Sequence, residues 1–201
     1  MNDIPGFATY RRTSIAALAA VSLCLPGLLP VSHAYALDLG SPVGKTPYDQ
    51  YLGPLWTVMG HLGGNQPDPA VVAKLVSEGR GFRYVFKKDQ PYVPQTPEET
   101  ESTHSGDCKA KALWLASKMD CRKVRFVIGK AKQGDSQSHA WLIWEAPDGW
   151  LILDATLYSR PMDPDKTSPS EWVPSYSYAP GGKYAHAMAA GAAQKRYGDH
   201  M

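Results

Sequence analysis

The chain has 201 residues, with 21 basic and 19 acidic side chains and a formal net charge of +2. This near balance predicts no strong attraction to nucleic acid or to an anionic lipid surface. Hydrophobic residues make up 43% and charged residues 20% of the chain, which excludes a fibre, a disulfide scaffold and a wholly disordered protein. We expect one folded domain.

Residues 1–36 have the pattern of a signal peptide. Arg11 and Arg12 precede an apolar stretch over residues 15–29, and the small-residue sequence Ala34-Tyr35-Ala36 follows it. The stretch is shorter than the roughly 20 residues of a membrane-spanning helix, so a retained anchor helix is the less favoured alternative. We predict cleavage after Ala36, export to a periplasm or out of the cell, and no stable membrane anchor.

Two helices are predicted at the start of the mature chain. The first spans about residues 47–62, where apolar residues recur at helical spacing. The second has Asp68 as its N-cap, Pro69 as its first helical residue and Gly79 at its end. Its buried stripe is expected to contain Val71, Val72, Leu75 and Val76.

A short strand and a short helix are predicted next. Residues 82–86 alternate weakly between polar and apolar, which favours a strand. Thr96, Pro97 and Glu99 form a capping-box pattern with proline at the first helical position, which is typical of a helix start.

The pattern over residues 107–119 predicts a helix that begins at a cysteine. One face carries Cys108, Ala112, Leu115, Ala116 and Met119, and the solvated face is expected to carry Lys109, Lys111 and Lys118. Cys121 lies 13 positions after Cys108, which corresponds to about 20 Å along a helix. We therefore expect no disulfide between these two cysteines.

Three strands are predicted after this helix: Val124 to Ile128, His139 to Glu145, and Trp150 to Leu157. The last two form an antiparallel hairpin, with Pro147 and Asp148 as the central turn residues. In that register Asp154 faces Trp141 and lies diagonally across from His139 on the same face. Trp141, Trp144 and Trp150 are expected to belong to the core. The end of the tail beyond Trp172 is undecided between helix and disorder.

Three of these residues fit the roles of a nucleophilic site. Cys108 at a helix N-terminus meets the positive end of the helix dipole, which favours a thiolate, and offers a backbone N–H to an oxyanion. His139 at a strand start can move the proton, and Asp154 on the neighbouring strand can fix the imidazole tautomer. The sequence therefore predicts a Cys-His-Asp triad.

Three segments resemble the motifs of the transglutaminase-like superfamily, and the likeness spans roughly residues 47–160. They are Ser105-Gly106-Asp107-Cys108-Lys109-Ala110-Lys111-Ala112, Ser138-His139-Ala140-Trp141 and Leu153-Asp154-Ala155-Thr156. Among its branches the chain is most similar to the bacterial transglutaminase-like cysteine proteinases, which are exported enzymes of papain-like architecture.

The resemblance implies an α+β, papain-like or transglutaminase-like fold, in which N-terminal helices and a nucleophile-bearing helix pack on an antiparallel sheet. Cleavage after Ala36 leaves one domain over residues 37–201, with a core over about residues 47–175 and a tail whose end stays open between helix and disorder. The implied function is a cysteine hydrolase that cleaves peptide or other amide bonds in a protein or peptide substrate through a thioester, without a cofactor. The oxyanion donors would be the Cys108 backbone with Gln95 or Tyr92.

Several alternatives stay open. That branch often has acidic residues after the cysteine, whereas this chain has Lys109 and Lys111, which leaves calcium dependence and substrate undecided. Transfer to an amine, as in a transglutaminase, and a non-catalytic binding module are the alternative functions. A metal site built from His104, Cys108, Cys121 and His139 is a disfavoured rival, because it lacks the compact cysteine pair of zinc sites. Outside these motifs, His61, His186 and His200 are expected to be exposed.

Overall fold

The computed structural model describes residues 37–88 and 91–187. The predicted signal peptide, His200 and the Ala-rich end of the tail beyond residue 187 lie outside the described residues. Over the described ranges the fold is α+β, as predicted, with four α-helices and a six-stranded antiparallel sheet. No helix in this part of the chain is long and apolar enough to cross a membrane.

The four helices are α1 Gly53–His61, α2 Pro69–Gly81, α3 Pro97–Thr103 and α4 Cys108–Met119. The helix predicted over residues 47–62 is thus divided into a 3-10 turn at Asp49–Tyr51 and α1. Pro54 explains the division, because it has no N–H to donate to a carbonyl one turn earlier.

The predicted caps of α2 and α3 are confirmed. The Asp68 carboxylate accepts from Ala70 N at 2.6 Å. Thr96 Oγ1 accepts from Glu99 N, and Glu99 Oε2 accepts from Thr96 N, both at 3.2 Å, which completes the capping box. These bonds satisfy amide groups that have no partner inside their helix.

The buried stripe of α2 differs from the prediction at one position. Val72 and Val76 are fully buried, but Val71 is 49% exposed. The stripe continues through Gly79, where an added Cβ would lie 2.9 Å from the Trp114 ring. Because successive helical residues are about 100° apart, this alignment turns Val71 towards solvent.

The strands form a sheet in the order β1-β8-β7-β4-β5-β6. Their bounds are β1 Ser41–Val43, β4 Val124–Lys132, β5 His139–Ala146, β6 Gly149–Leu153, β7 Glu171–Ala179 and β8 Gly182–Ala185. A separate parallel pair joins β2 Arg83–Tyr84 to β3 Ser105–Gly106. The strand predicted over residues 82–86 is therefore only two residues long.

The predicted register of the β5–β6 hairpin is confirmed. Ala146 pairs with Gly149, and Leu142 pairs with Leu153, which makes Pro147 and Asp148 the central turn residues. However, β6 ends at Leu153 instead of continuing to Leu157. The Asp154 carboxylate accepts from the N–H groups of Thr156 and Leu157, and this local turn replaces strand pairing.

The sheet continues beyond the core predicted for residues 47–175. Strand β7 pairs with β4 in the middle of the sheet, and β8 joins β7 to β1. Tyr178 in β7 is fully buried and packs edge-on against Trp56. Ser177 in β7 is also buried, and its hydroxyl bonds to His186. Because a polar residue takes a buried position, the apolar alternation that would predict this strand from the sequence is weak.

Both faces of the sheet are covered. On one face α4 contacts β4 and β5 and is itself contacted by α1, α2 and α3. On the other face a smaller apolar cluster comprises Val127, Trp141, Ile143, Ile152 and Trp172. Side chains alternate across a strand, so His139 belongs to the same face as Trp141.

Candidate active site

Cys108 is the first residue of α4, as predicted, and its side chain is buried. Asp107 is the N-cap of this helix, and its Oδ1 accepts from Lys109 N at 2.9 Å and from Ala110 N at 3.0 Å. The Asp107 side chain therefore caps these two amides and makes no hydrogen bond to the Cys108 N–H. Helix N-termini favour negative charge, so this position suits both a thiolate and an oxyanion.

His139 begins β5 and meets Asp154 just after the end of β6. His139 Nε2 lies 2.8 Å from Asp154 Oδ2, which confirms the predicted diagonal contact. The Asp154 side chain is completely buried, and that of His139 is 11% exposed. The hairpin register thus determines this pair, because it places both side chains on the same face of the sheet.

Cys108 lies close enough to His139 for its thiol to help raise the pKa of the imidazole. Because Nε2 is bonded to Asp154, Nδ1 is the ring nitrogen that remains for the sulfur. The structure therefore brings Cys108, His139 and Asp154 together as a row of neighbouring groups. In this geometry one imidazole can exchange a proton with the thiol while a carboxylate holds its other nitrogen.

Electrostatics at this row favour the imidazolium. Burial lowers the pKa of His139, but the hydrogen bonds and charges of Asp154 and Cys108 outweigh burial and raise this pKa to about 10. Burial raises the pKa of Asp154, whereas the His139 hydrogen bond lowers it, and the net direction is downward. Both shifts favour an ionised Asp154 beside a protonated His139.

The two predicted side-chain oxyanion donors are differently placed. The Tyr92 hydroxyl donates to Asp107 Oδ2, and burial together with this carboxylate raises the Tyr92 pKa well above its usual range. The hydroxyl proton of Tyr92 is thus engaged in a hydrogen bond to the N-cap residue of α4. Gln95 is buried beside β3, where its Oε1 would lie 3.6 Å from a Cβ added to Gly106.

The prediction of a solvated lysine face on α4 is wrong for Lys111. Its side chain is buried and its Nζ donates to the Phe82 carbonyl at 2.6 Å. Burial lowers the Lys111 pKa, and the nearby charges of Asp154 and Cys108 oppose that shift. Lys111 follows Cys108 by three positions, so helical spacing alone already places both on one side of α4.

Sequence reasoning missed Trp172. Its indole Nε1 donates to Asp154 Oδ2 at 3.0 Å, beside the contact with His139. Trp172 lies in β7, separated from Asp154 by a loop and by the 3-10 turn Pro164–Lys166. No local pattern in the sequence predicts this contact.

The rival metal site is not assembled. The His104 ring packs against Phe82, with centroids 5.1 Å apart, and Cys121 lies beyond the other end of α4, where it bridges to Gly64. Among residues 37–88 and 91–187, no three His, Cys, Asp or Glu side chains form a group that could hold a metal ion. Cys108 and Cys121 are both free thiols, as predicted.

The prediction for His186 is wrong, because this residue is 2% exposed. Its Nε2 lies 2.9 Å from Ser177 Oγ, and its Nδ1 lies 3.5 Å from Asp38 Oδ2. Ser177 is completely buried, so this group joins β7, β8 and the chain before β1 and offers no reactive hydroxyl to solvent.

The chain is similar to solved structures at low sequence identity. LapG from Legionella pneumophila, in an EGTA-treated form, is 22% identical with a TM-score of 0.48, over 67% of this chain and 76% of LapG. Its calcium-bound form is 22% identical with a TM-score of 0.46, over 65% and 76%. A candidate cysteine protease from Cytophaga hutchinsonii is 17% identical with a TM-score of 0.35, over 50% and 36%.

No protein-family model matches the chain, and a search of curated proteins finds no significant match. The reaction of this chain is therefore inferred from its own side chains.

Proposed function

We propose that this chain is a cysteine peptidase that cleaves peptide or other amide bonds through a thioester. The observation that carries the proposal is the 2.8 Å contact of His139 with Asp154, together with the position of Cys108 close enough to act on the same imidazole. The buried site and the helix N-terminus at Cys108 support it. These are the parts that a nucleophilic thiol needs.

The proposed first half-reaction forms the thioester. The Cys108 thiolate attacks the amide carbon, an S–C bond forms, and the carbonyl electron pair moves to oxygen. The Cys108 N–H stabilises this oxyanion, with Gln95 as the second donor. The C–N bond then breaks as the electron pair returns, and the His139 imidazolium gives its proton to the departing amine.

The second half-reaction releases the acid and restores the site. His139, now neutral, removes a proton from water while the oxygen attacks the thioester carbon. The S–C bond breaks, the thiolate re-forms beside the imidazolium, and a carboxylic acid leaves. Asp154 stays ionised throughout and holds the imidazole in one tautomer.

Water is the proposed acceptor in this scheme. Lys109 follows Cys108 where cross-linking transglutaminases usually have an aromatic residue, which is one reason to favour hydrolysis over transfer to an amine. Substrates are proposed to be proteins or peptides outside the cytoplasm, since residues 1–36 have the pattern of a signal peptide. The mature protein would then begin at Leu37, and N-terminal sequencing of the protein purified from its native source tests this.

The proposed reaction is tested with fluorescently labelled casein and a labelled primary amine. We expect cleavage fragments without incorporation of the amine. Cys108→Ser should abolish cleavage, whereas Cys121→Ser is the matched control, because Cys121 is an equally buried thiol beyond the opposite end of α4. Dominant amine incorporation would indicate a transferase. Cleavage that survives Cys108→Ser would overturn the proposed nucleophile.

A further inference from the structure

Trp172 links β7 to the carboxylate that contacts His139. Its indole N–H donates to Asp154 Oδ2 at 3.0 Å, and the same oxygen lies 2.8 Å from His139 Nε2. Trp172 is 6% exposed and Asp154 is fully buried, so solvent competes little for this bond. We propose that Trp172 is a positioning residue for the Asp154–His139 pair, an inference that rests on the function proposed above.

The hydrogen bonds of the carboxylate show what Trp172 adds. Asp154 Oδ1 accepts from Thr156 N at 2.9 Å and from Leu157 N at 3.0 Å. Oδ2 is shared between His139 and Trp172. Two bonds to each oxygen use the full accepting capacity of a carboxylate. Trp172 therefore occupies one lone pair of Asp154 Oδ2 and orients the other lone pair towards His139.

The backbone of Trp172 is strained. Its φ is 45°, a left-handed value that is unfavourable for a bulky side chain. The other non-glycine residues with positive φ in the described ranges are His104 and Asp120, and each of these is the C-cap of a helix. Trp172 lies within a strand and ends no helix. The bond to Asp154 and the packing of the indole account for a conformation that the strand itself does not require.

Packing holds the indole in place on the second face of the sheet. The ring meets Tyr158 edge-on with centroids 5.0 Å apart, and it belongs to the cluster that includes Trp141 and Ile152. Tyr158 N in turn donates to the backbone carbonyl of Asp154 at 3.1 Å. Trp172 is thus fixed relative to both the side chain and the backbone of Asp154.

The test compares Trp172→Phe with Trp144→Phe in the full chain. Both variants shorten a buried indole, but the Trp144 N–H has no hydrogen-bond partner in the described part of the chain, so only the first variant loses a bond. The rate of Cys108 alkylation by iodoacetamide is followed as a function of pH, with the modified residue assigned by mass mapping.

In Trp172→Phe the acid limb of the alkylation profile should move to higher pH, and the rate at mildly acidic pH should fall about tenfold or more. Loss of the indole N–H removes a partial positive charge from the site, and it leaves the Asp154 carboxylate and the His139 imidazolium less firmly positioned. Both effects disfavour the Cys108 thiolate. Trp144→Phe should keep the wild-type profile. A folded Trp172→Phe protein with an unshifted acid limb overturns the positioning role.

Two further measurements separate the possible failures. If Trp172→Phe does not fold, the assigned Trp172 indole N–H signal is followed by NMR in wild-type protein labelled with ¹⁵N at tryptophan. We expect the chemical shift of this signal to change over the same pH range as the rate of Cys108 alkylation. A chemical shift that stays constant over that range overturns the inference. His139→Ala tests the proposed function itself: unchanged alkylation in that variant overturns the triad, whereas slowed alkylation with a normal Trp172→Phe profile overturns only the role of Trp172.

Discussion

The ammonium nitrogen of Lys109 lies 4.0 Å from the sulfur of Cys108, its neighbour in the sequence. Asp107 holds it there through a 3.2 Å ion pair, and it also lies over the Tyr92 ring, 4.5 Å from the centroid. The Lys109 side chain is 21% exposed, so solvent only partly screens its charge. A cation at this distance favours negative charge on the sulfur.

We therefore predict that Lys109→Met slows alkylation of Cys108 at mildly acidic pH by roughly fivefold, the equivalent of about 1 kcal/mol. Lys118→Met is the control, because Lys118 is on the same helix, is 42% exposed and pairs with Glu101 instead. Iodoacetamide labelling rates measure the effect. Equal rates in wild type and Lys109→Met would show that this cation does not act on the sulfur.

Asp154→Asn should fold and react slowly. An asparagine Oδ1 can still accept from the N–H groups of Thr156 and Leu157, but its amide cannot stabilise an imidazolium at His139. In triads of this type the orienting carboxylate contributes roughly four orders of magnitude, and cysteine enzymes can depend on it less because thiolates are intrinsically nucleophilic.

Thermal midpoints and the pH dependence of Cys108 alkylation test this prediction together. Unchanged alkylation at every pH would mean that Asp154 is not the third member of the triad. Unfolding of Asp154→Asn would instead identify Asp154 as a structural residue first.

The raised pKa of His139 predicts how stability depends on pH. In the folded protein this pKa is about 10, against 6.5 for an unperturbed histidine. Between these values the folded state keeps a proton that the unfolded state loses. This contribution is complete below pH 6.5, and the free energy of unfolding should fall as the pH rises towards about 10.

Urea titrations at a series of pH values measure this slope. His139→Gln should flatten it, because that variant has no titrating group at the position. An equally steep slope in His139→Gln would assign the pH dependence to other residues.

Gly79 allows a test of packing that is independent of the chemistry. An added Cβ would lie 2.9 Å from both the Trp114 ring and the Ala155 Cβ, so Gly79→Ala should cost about 1–3 kcal/mol. Gly81→Ala in the same helix is the control, since nothing lies within 4 Å of its added Cβ, and we expect no loss of stability there. Chemical denaturation decides, and a stability unchanged by Gly79→Ala would contradict the close packing of α2 on α4.

The sequence by itself determined the parts of the site that depend on nearest neighbours. Asp107 and Cys108 mark a helix start because a cap and its amides are only two or three residues apart. The turn at Pro147 and Asp148 sets the pairing register of β5 and β6, and that register places Asp154 beside His139. Caps and tight turns act over a few residues, so their patterns are visible in the chain.

Only the tertiary structure decided what meets the triad from further along the chain. Trp172 reaches Asp154 because β7 pairs with β4, and this pairing is made by backbone groups that all residues except proline share. Lys111 is buried because Phe82 offers a carbonyl on a separate segment. Such contacts depend on how whole helices and strands pack against one another. Hydrophobic periodicity within one segment shows which face is buried but not which distant residue meets it.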